Sequence, residues 1–384
     1  MSKGAYIGIG EKARKIKKIY VGIADKARKV KKGYIGINGV AKLFFASTDA
    51  VMEYPGDISS LSKARRSLAA THVGNYAIFA GGQVLGDTTY GSYITVNDVE
   101  AYSNTLVKTT RTSLPSTSSD LAASSVGNYA IFAGGSYTDA TSTKTINNVS
   151  AYNVSLVRTI PSASLTESRC YLAAATIGNY AIFAGGSSES VRYLGTADVY
   201  NSSLSKIAAS DLSQGRHQHT AATVGNYAIF AGGWKSNSEK TDTVESYSNT
   251  LSRVTRSSLS SARANLSATS VGNYAIFGGG TIDNGDVDAY NTSLTRVSLS
   301  PQNYPPHYDK STAATLGNFA LFSTSSGASI LEVYNSSLTK VENVYTYMRN
   351  AQKPEAAVVG NYAIFAGTSN SGSSETSKVI PFTI

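Results

Sequence analysis

"VGNYAIFAGG", at Val73–Gly82, is the stretch on which the fold turns. It returns at 126–135, 177–186, 224–233 and 271–280 with no more than one substitution each time. It appears again as "LGNFALFSTS" at 316–325 and "VGNYAIFAGT" at 359–368. Its centre is apolar at consecutive positions, as in Tyr274, Ala275, Ile276 and Phe277. A strand with one wet face alternates polar and apolar, so an unbroken apolar run predicts a strand covered on both faces.

Working outward, the Gly-Asn pairs begin at Gly74, Gly127, Gly178, Gly225, Gly272, Gly317 and Gly360, spaced 53, 51, 47, 47, 45 and 43 residues apart. Repeats of this length that are rich in strand-forming residues point to the blades of a propeller. The unit around Gly272 contains four strand-like pieces: "NLSATS", "NYAIFGGG", "DVDAY" and "LTRVS". Gly-Asn turns the first piece into the second, and "NTS" turns the third into the fourth. Small Ala and Ser in the first piece suit a crowded axis. The expected fold is all-β, a seven-bladed propeller over 46–384. Its last unit runs out after "KVIPFTI", so the spare strand Ala50–Tyr54 is expected to close the ring as the outermost strand of that blade and to hide a sheet edge.

The net charge of +9 belongs to a separate module. Residues 1–45 carry twelve Lys or Arg against Glu11 and Asp25, a balance of +10, which leaves −1 for the rest. This arm repeats every 14 residues ("AYIGIGEKARKIKK", "IYVGIADKARKVKK", "GYIGINGVAKLFF") and reads as a small meander of strands and tight turns. Its cations Lys12, Arg14, Lys15, Lys17, Lys18, Arg28, Lys29, Lys31 and Lys32 are expected to serve attachment. Nucleic acid is not the expected partner, because no stacking aromatics are interleaved with the charges. The arm is also the natural place for threefold contact between copies.

Cys170 is the single cysteine, which excludes an intrachain disulfide and a cysteine-rich metal site. No apolar run has the length of a signal peptide or a membrane span, so synthesis in a cytoplasm without membrane insertion is expected. His217 and His219, two apart, would share one side of a strand, but no second His or Cys pair accompanies them. No metal and no cofactor is expected. No phosphate loop, no Ser-His-Asp order and no close carboxylate pair stands out, so no catalytic residue is assigned.

Antiparallel blades place the near-identical "VGN" and "NSS"-like turns on one face and every variable loop on the other. Function is expected on the variable face. Its candidate ligand-binding residues are Tyr90, Tyr93, Tyr137, Arg192, Tyr193, Trp234, Lys235, Tyr304, His307 and Tyr308. Aromatic rings of this kind pack on the apolar faces of sugars, while neighbouring amides and carboxylates take the hydroxyls. Arg65, Arg169, Arg216 and Arg263 each lie nine residues before a Gly-Asn glycine, and are expected to tie neighbouring blades through carbonyl groups.

Two resemblances follow. An Arg, small residues, a turn, an apolar strand ending in Gly-Gly, then "V-x-x-Y" before an Asn-Ser turn, is similar to the kelch repeat over about 330 residues. The kelch Trp of the fourth strand is absent, and Leu106, Leu156, Leu204, Leu251, Leu294 and Leu338 stand in its place. The combination of "KARKVKKGYIGINGVAKLFF" with "VGNYAIFAGG…VDAYNTSLTR" blades resembles tail-fibre or receptor-binding proteins of phages and prophages of Firmicutes. That resemblance implies a non-enzymatic virion protein, assembled in the bacterial cytoplasm. Its arm would dock on tail or baseplate proteins, and its propeller would meet a host-surface polysaccharide or protein. The alternatives are a kelch-type scaffold for a protein partner and an enzyme degrading surface glycan.

Overall fold

The computed structural model describes residues 55–56, 58–86, 93–139, 142–281, 286–299, 312–323, 330–345, 351–370 and 375–383, together with strands between 6 and 46. It divides into Met1–Glu53 with Ile384, and Tyr54–Thr383. In the first unit the strands form three antiparallel hairpins: Tyr6–Ile9 with Lys12–Lys15, Ile19–Ile23 with Lys26–Val30, and Lys32–Ile37 with Val40–Ala46.

The second unit is a seven-bladed β-propeller, with no helix among the described residues. Blade 1 is built from Ala69–Val73, Tyr76–Ala80, Val99–Ser103 and Lys108–Arg111, paired antiparallel in sequence order. Blades 2 to 6 repeat that order, starting at Ala122, Ala173, Thr220, Ser267 and Ala313. Blade 7 shows three strands, Ala351–Val359, Tyr362–Asn370 and Glu375–Phe382. The expected closing strand, Ala50–Tyr54, lies outside the described residues. The ring nevertheless closes by packing. Ala357, Val359, Ile364 and Ala366 of blade 7 share one apolar cluster with Ala77, Phe79 and Tyr102 of blade 1.

The apolar second strands are covered on both faces, as their sequence requires. Ile78 packs towards blade 2, while Ala77 and Phe79 pack towards blade 7. In blades 1 to 6 the Phe of the second strand meets the Tyr of the third edge-on, as in Phe79–Tyr102 at 5.9 Å and 85°. Such a pair contributes about 0.5–1.5 kcal/mol beyond the area it buries. In blades 1 to 5 the Tyr hydroxyl is also satisfied. Tyr102, Tyr200, Tyr247 and Tyr290 donate to the carbonyls of Ser59, Ala163, Ser210 and Ser257 at 2.7–3.0 Å, which pins the segment leading into each blade.

The four blade-leading arginines do not act as expected. Their guanidinium groups stay within their own blade, each on a buried carboxylate of the third strand: Arg65–Glu100 at 2.9 Å, Arg169–Asp198 at 2.7 Å, Arg216–Glu245 at 2.8 Å and Arg263–Asp288 at 2.7 Å. Each carboxylate also receives a less buried cation from the fourth strand: Lys108, Lys206, Arg253 or Arg296. The tie between blades comes from the backbone instead. In blades 1 to 4 the second glycine of the pair donates its N–H to the carbonyl at that position of the next blade, as in Gly135 to Arg169 at 2.8 Å. A Cβ on Gly134 would lie 2.5 Å from the same oxygen, so the paired glycines are required by close approach. Blade 2 has Ser118 in place of the Arg and Ser150 in place of the carboxylate, so both partners are replaced together.

The six leucines set against the kelch Trp are not fourth-strand residues. They end the third-to-fourth turn with φ between +59° and +64°, a region that side chains other than Gly rarely occupy. Asn153 holds this turn by accepting from the N–H groups of Ser155 and Val157, each at 3.0 Å. The leucine then reaches the preceding blade: Leu156 joins the cluster between blades 1 and 2, and Leu204 the one between blades 2 and 3. Burial of the side chain offsets a backbone strain of about 1–2 kcal/mol.

Two outcomes are expected. Deleting residues 378–384 removes buried Val379, Ile380 and Phe382, and should leave a chain with no cooperative thermal transition; a soluble, sharply melting product would refute closure through blade 7. Arg169→Ser should cost about 1–3 kcal/mol, because Asp198 loses its fully buried partner and keeps only Lys206 and Thr166. Adding Asp198→Ser should return much of that loss, since blade 2 folds with the same two serines. Urea unfolding of the double-mutant cycle checks this, and simple additivity would contradict it.

Candidate functional site

The two faces separate as the repeat requires. On the variable face a short backbone bridge recurs between the residue after the blade-leading position and the residue after Gly-Gly: Arg66 with Gln83, Ser119 with Ser136, Cys170 with Ser187, and His217 with Trp234. In blade 4 alone, among these, both partners carry rings. His217 N–H donates to Trp234 O at 3.1 Å, and Trp234 N–H returns to His217 O at 2.9 Å. Beside the bridge, Ser67, Asp120, Tyr171, Gln218 and Asn265 take φ between +52° and +57°, and each N–H after the first donates to the carbonyl of the one before it. This chain of backbone bonds ties blades 1 to 5 to one another on this face.

Between blades 3 and 4, with an edge from blade 2, lies an open cleft of about 590 Å³. Its floor is aromatic. Tyr193 stacks on His217 with centroids 5.3 Å apart and 16° between planes, and Tyr171 approaches the same imidazole at 6.0 Å and 40°. Tyr193 is fixed from its far end, where its hydroxyl donates to Asn237 Oδ1 at 2.8 Å. Trp234 lines the blade 4 side, and Lys240 Nζ stands 5.3 Å from its ring. Arg192 is exposed on the lip. At the blade 2 edge Glu189 is engaged by Lys144 Nζ at 3.2 Å and the Thr145 N–H at 3.0 Å. His217 is 9% exposed. Burial first, and the Arg192 charge second, push its imidazole down to about 4, so it is neutral near pH 7. Rings set flat beside hydroxyls and amides bind flat, hydroxyl-bearing ligands.

Three of the ten residues expected on this face, Arg192, Tyr193 and Trp234, come together here. Tyr93 lies in a separate hairpin of blade 1, with the Arg66 guanidinium carbon 3.3 Å above its ring. Tyr137 faces Lys144 across a hairpin in blade 2, and Lys235 pairs with Glu239 at 3.5 Å. Tyr90, Tyr304, His307 and Tyr308 lie outside the described residues. In the arm, Lys12, Arg14, Lys15, Arg28, Lys29 and Lys32 fall on strands, while Lys17, Lys18 and Lys31 lie outside the described residues.

Tyr171, His217 and Asn237 were not singled out for this site from sequence. Aligning the repeats on Gly-Asn would have found His217, whose counterparts are Arg66, Ser119, Cys170 and Ala264. His217 and His219 do not share a side. Gln218, at φ +52°, breaks the strand alternation, and His219 packs instead on Phe230 at 6.1 Å. Among the described residues no group of three His, Cys, Asp or Glu is arranged to hold a metal ion.

No family model matches the chain, and no curated protein matches it. Among solved structures, one titled "Structure of YjhT" aligns with a TM-score of 0.55 at 10% sequence identity, covering 84% of this chain and 99% of that one. At such identity the likeness shows the fold alone. The protein is a β-propeller with a ligand-sized cleft on its variable rim.

His219 occupies the position held by Leu68, Leu121, Leu172 and Leu266 in other blades, and burial, aided by Arg216, holds it well below the ordinary 6.5. The unfolded chain takes up this proton near 6.5 and the folded chain does not. Stability is therefore complete above that pH and declines as pH falls below it. Melting temperatures between pH 7.5 and 5 should drop less in His219→Leu than in the wild type; equal slopes would contradict the assignment.

Proposed function

We propose that this chain is a non-enzymatic carbohydrate-binding adhesin, a tail-fibre or receptor-binding protein of a phage or prophage, built on a kelch-like propeller. The observation that carries the binding part is the stacked Tyr193–His217 pair beside Trp234 in an open cleft on the variable rim. Aromatic platforms exclude water from the C–H faces of a sugar ring, and the serine hydroxyls and amides around them replace its hydration. Glu189, the carboxylate in the cleft, is already held by Lys144 and the Thr145 amide, which favours recognition over acid–base chemistry. The virion part is supported by the division of the chain into a +10 arm and a near-neutral body with a uniform hub and a divergent rim. In this reading the arm attaches to tail or baseplate proteins, and the propeller meets the host surface.

The test is binding of the purified full chain to intact Firmicute cells and to a saccharide panel. Tyr193→Ala and Trp234→Ala should each weaken binding roughly tenfold or more with little change in melting temperature. Unchanged binding in the double variant would remove the cleft from the reading. Capture of a single cytosolic protein, with no affinity for cells or saccharides, would put the scaffold reading in its place.

A further inference from the structure

The cleft holds an unbalanced charge. The other cations near it are occupied: Lys144 lies 3.2 Å from Glu189, Lys235 lies 3.5 Å from Glu239, and Lys240, beside Trp234, donates to the Thr281 carbonyl. Arg192 lines the cleft and, among the described residues, has no carboxylate partner. Its chain position is nonetheless set. Ser188 and Val191 close a tight loop, with Ser188 N–H donating to Val191 O at 2.8 Å and Val191 N–H to Ser188 Oγ at 2.9 Å. Leu194 N–H then donates to Gly186 O at 2.9 Å, so Arg192 is held between two fixed points, one residue before the stacked Tyr193.

His217, nine-tenths buried and stacked against Tyr193, lines the same cleft. Its ring is neutral and adds no charge, so among the residues lining the cleft Arg192 is the cation without a partner. The body outside the arm carries −1, so this charge is local and not part of a generally basic surface.

Resting on the carbohydrate reading above, we infer that the ligand is an acidic saccharide whose carboxylate or phosphate is received by Arg192 while its ring lies against Tyr193 and Trp234. A guanidinium gives two parallel N–H donors to either oxyanion, and the geometry suits both acid groups. The exposed position of Arg192 makes the contribution sensitive to ionic strength.

The experiment uses the full chain and immobilised probes: oligogalacturonate for carboxylate, a glycerol-phosphate polymer for phosphate, and a neutral maltooligosaccharide. Wild type should bind at least one acidic probe roughly tenfold or more tighter than the neutral one, and the margin should shrink as salt rises. Whether carboxylate or phosphate is preferred identifies the source of the acid group. Arg192→Gln should erase the preference with an unchanged melting temperature, and Arg192→Lys should keep part of it. Neutral and acidic probes bound alike, or a preference that survives Arg192→Gln, would overturn this inference and leave the carbohydrate reading standing. Failure to bind any of the three, or any member of the wider saccharide panel, would overturn both.

Discussion

A strand that is apolar on both faces must be covered on both, and everything else in this propeller follows from that. No single four-stranded sheet can hide the Ile of its second strand on one side and the Phe on the other. Each blade therefore needs a neighbour on each side, and a row of such blades has no satisfactory end until it meets its own beginning. Blade 7 meets blade 1 through the same kind of apolar cluster that joins the other pairs. The edge-on Phe–Tyr contacts and the six leucines at positive φ are the local means by which the blades are held at a common spacing.

Against that apolar background the buried arginines need a different explanation from stability alone. Removing two charges from water carries a penalty that their attraction repays only with good geometry. Here each carboxylate is shared between a fully buried Arg and a less buried cation, and backbone or hydroxyl donors of the lead-in segment complete its shell, as Thr166 does for Asp198. The arrangement orients the lead-in segment on the third strand. Blade 2 dispenses with both members and keeps the same register, so the pair specifies a local arrangement and is not a condition for forming a blade.

The rim is where this rigidity becomes useful. Backbone bonds alone fix the residues after each blade-leading position and after each Gly-Gly, so the side chains there are free to differ. In blade 4 they are His217 and Trp234, and a loop from blade 3 lays Tyr193 across the His217 ring. Arg192, Tyr193 and Trp234 could be picked from sequence because large or charged residues stand out in Ser-rich loops. Tyr171 and His217 were harder to see, because they lie in segments that read as connections. The guanidinium groups were misjudged for a related reason. Their partners, Glu100, Asp198, Glu245 and Asp288, come 25 to 35 residues later and are hidden inside apolar third strands.

The sequence by itself determined the number of blades, the order of strands and the division into two faces. Each of these depends only on a repeat period, a two-residue alternation and turn chemistry, all of which are local. Tertiary structure decided which rings meet, that the arginine side chains turn inward while their carbonyls accept from the preceding blade, and that His217 and His219 part company at Gln218. Those outcomes depend on the spacing between separate sheets and on one residue with a left-handed backbone, and neither is expressed in any single stretch of the chain.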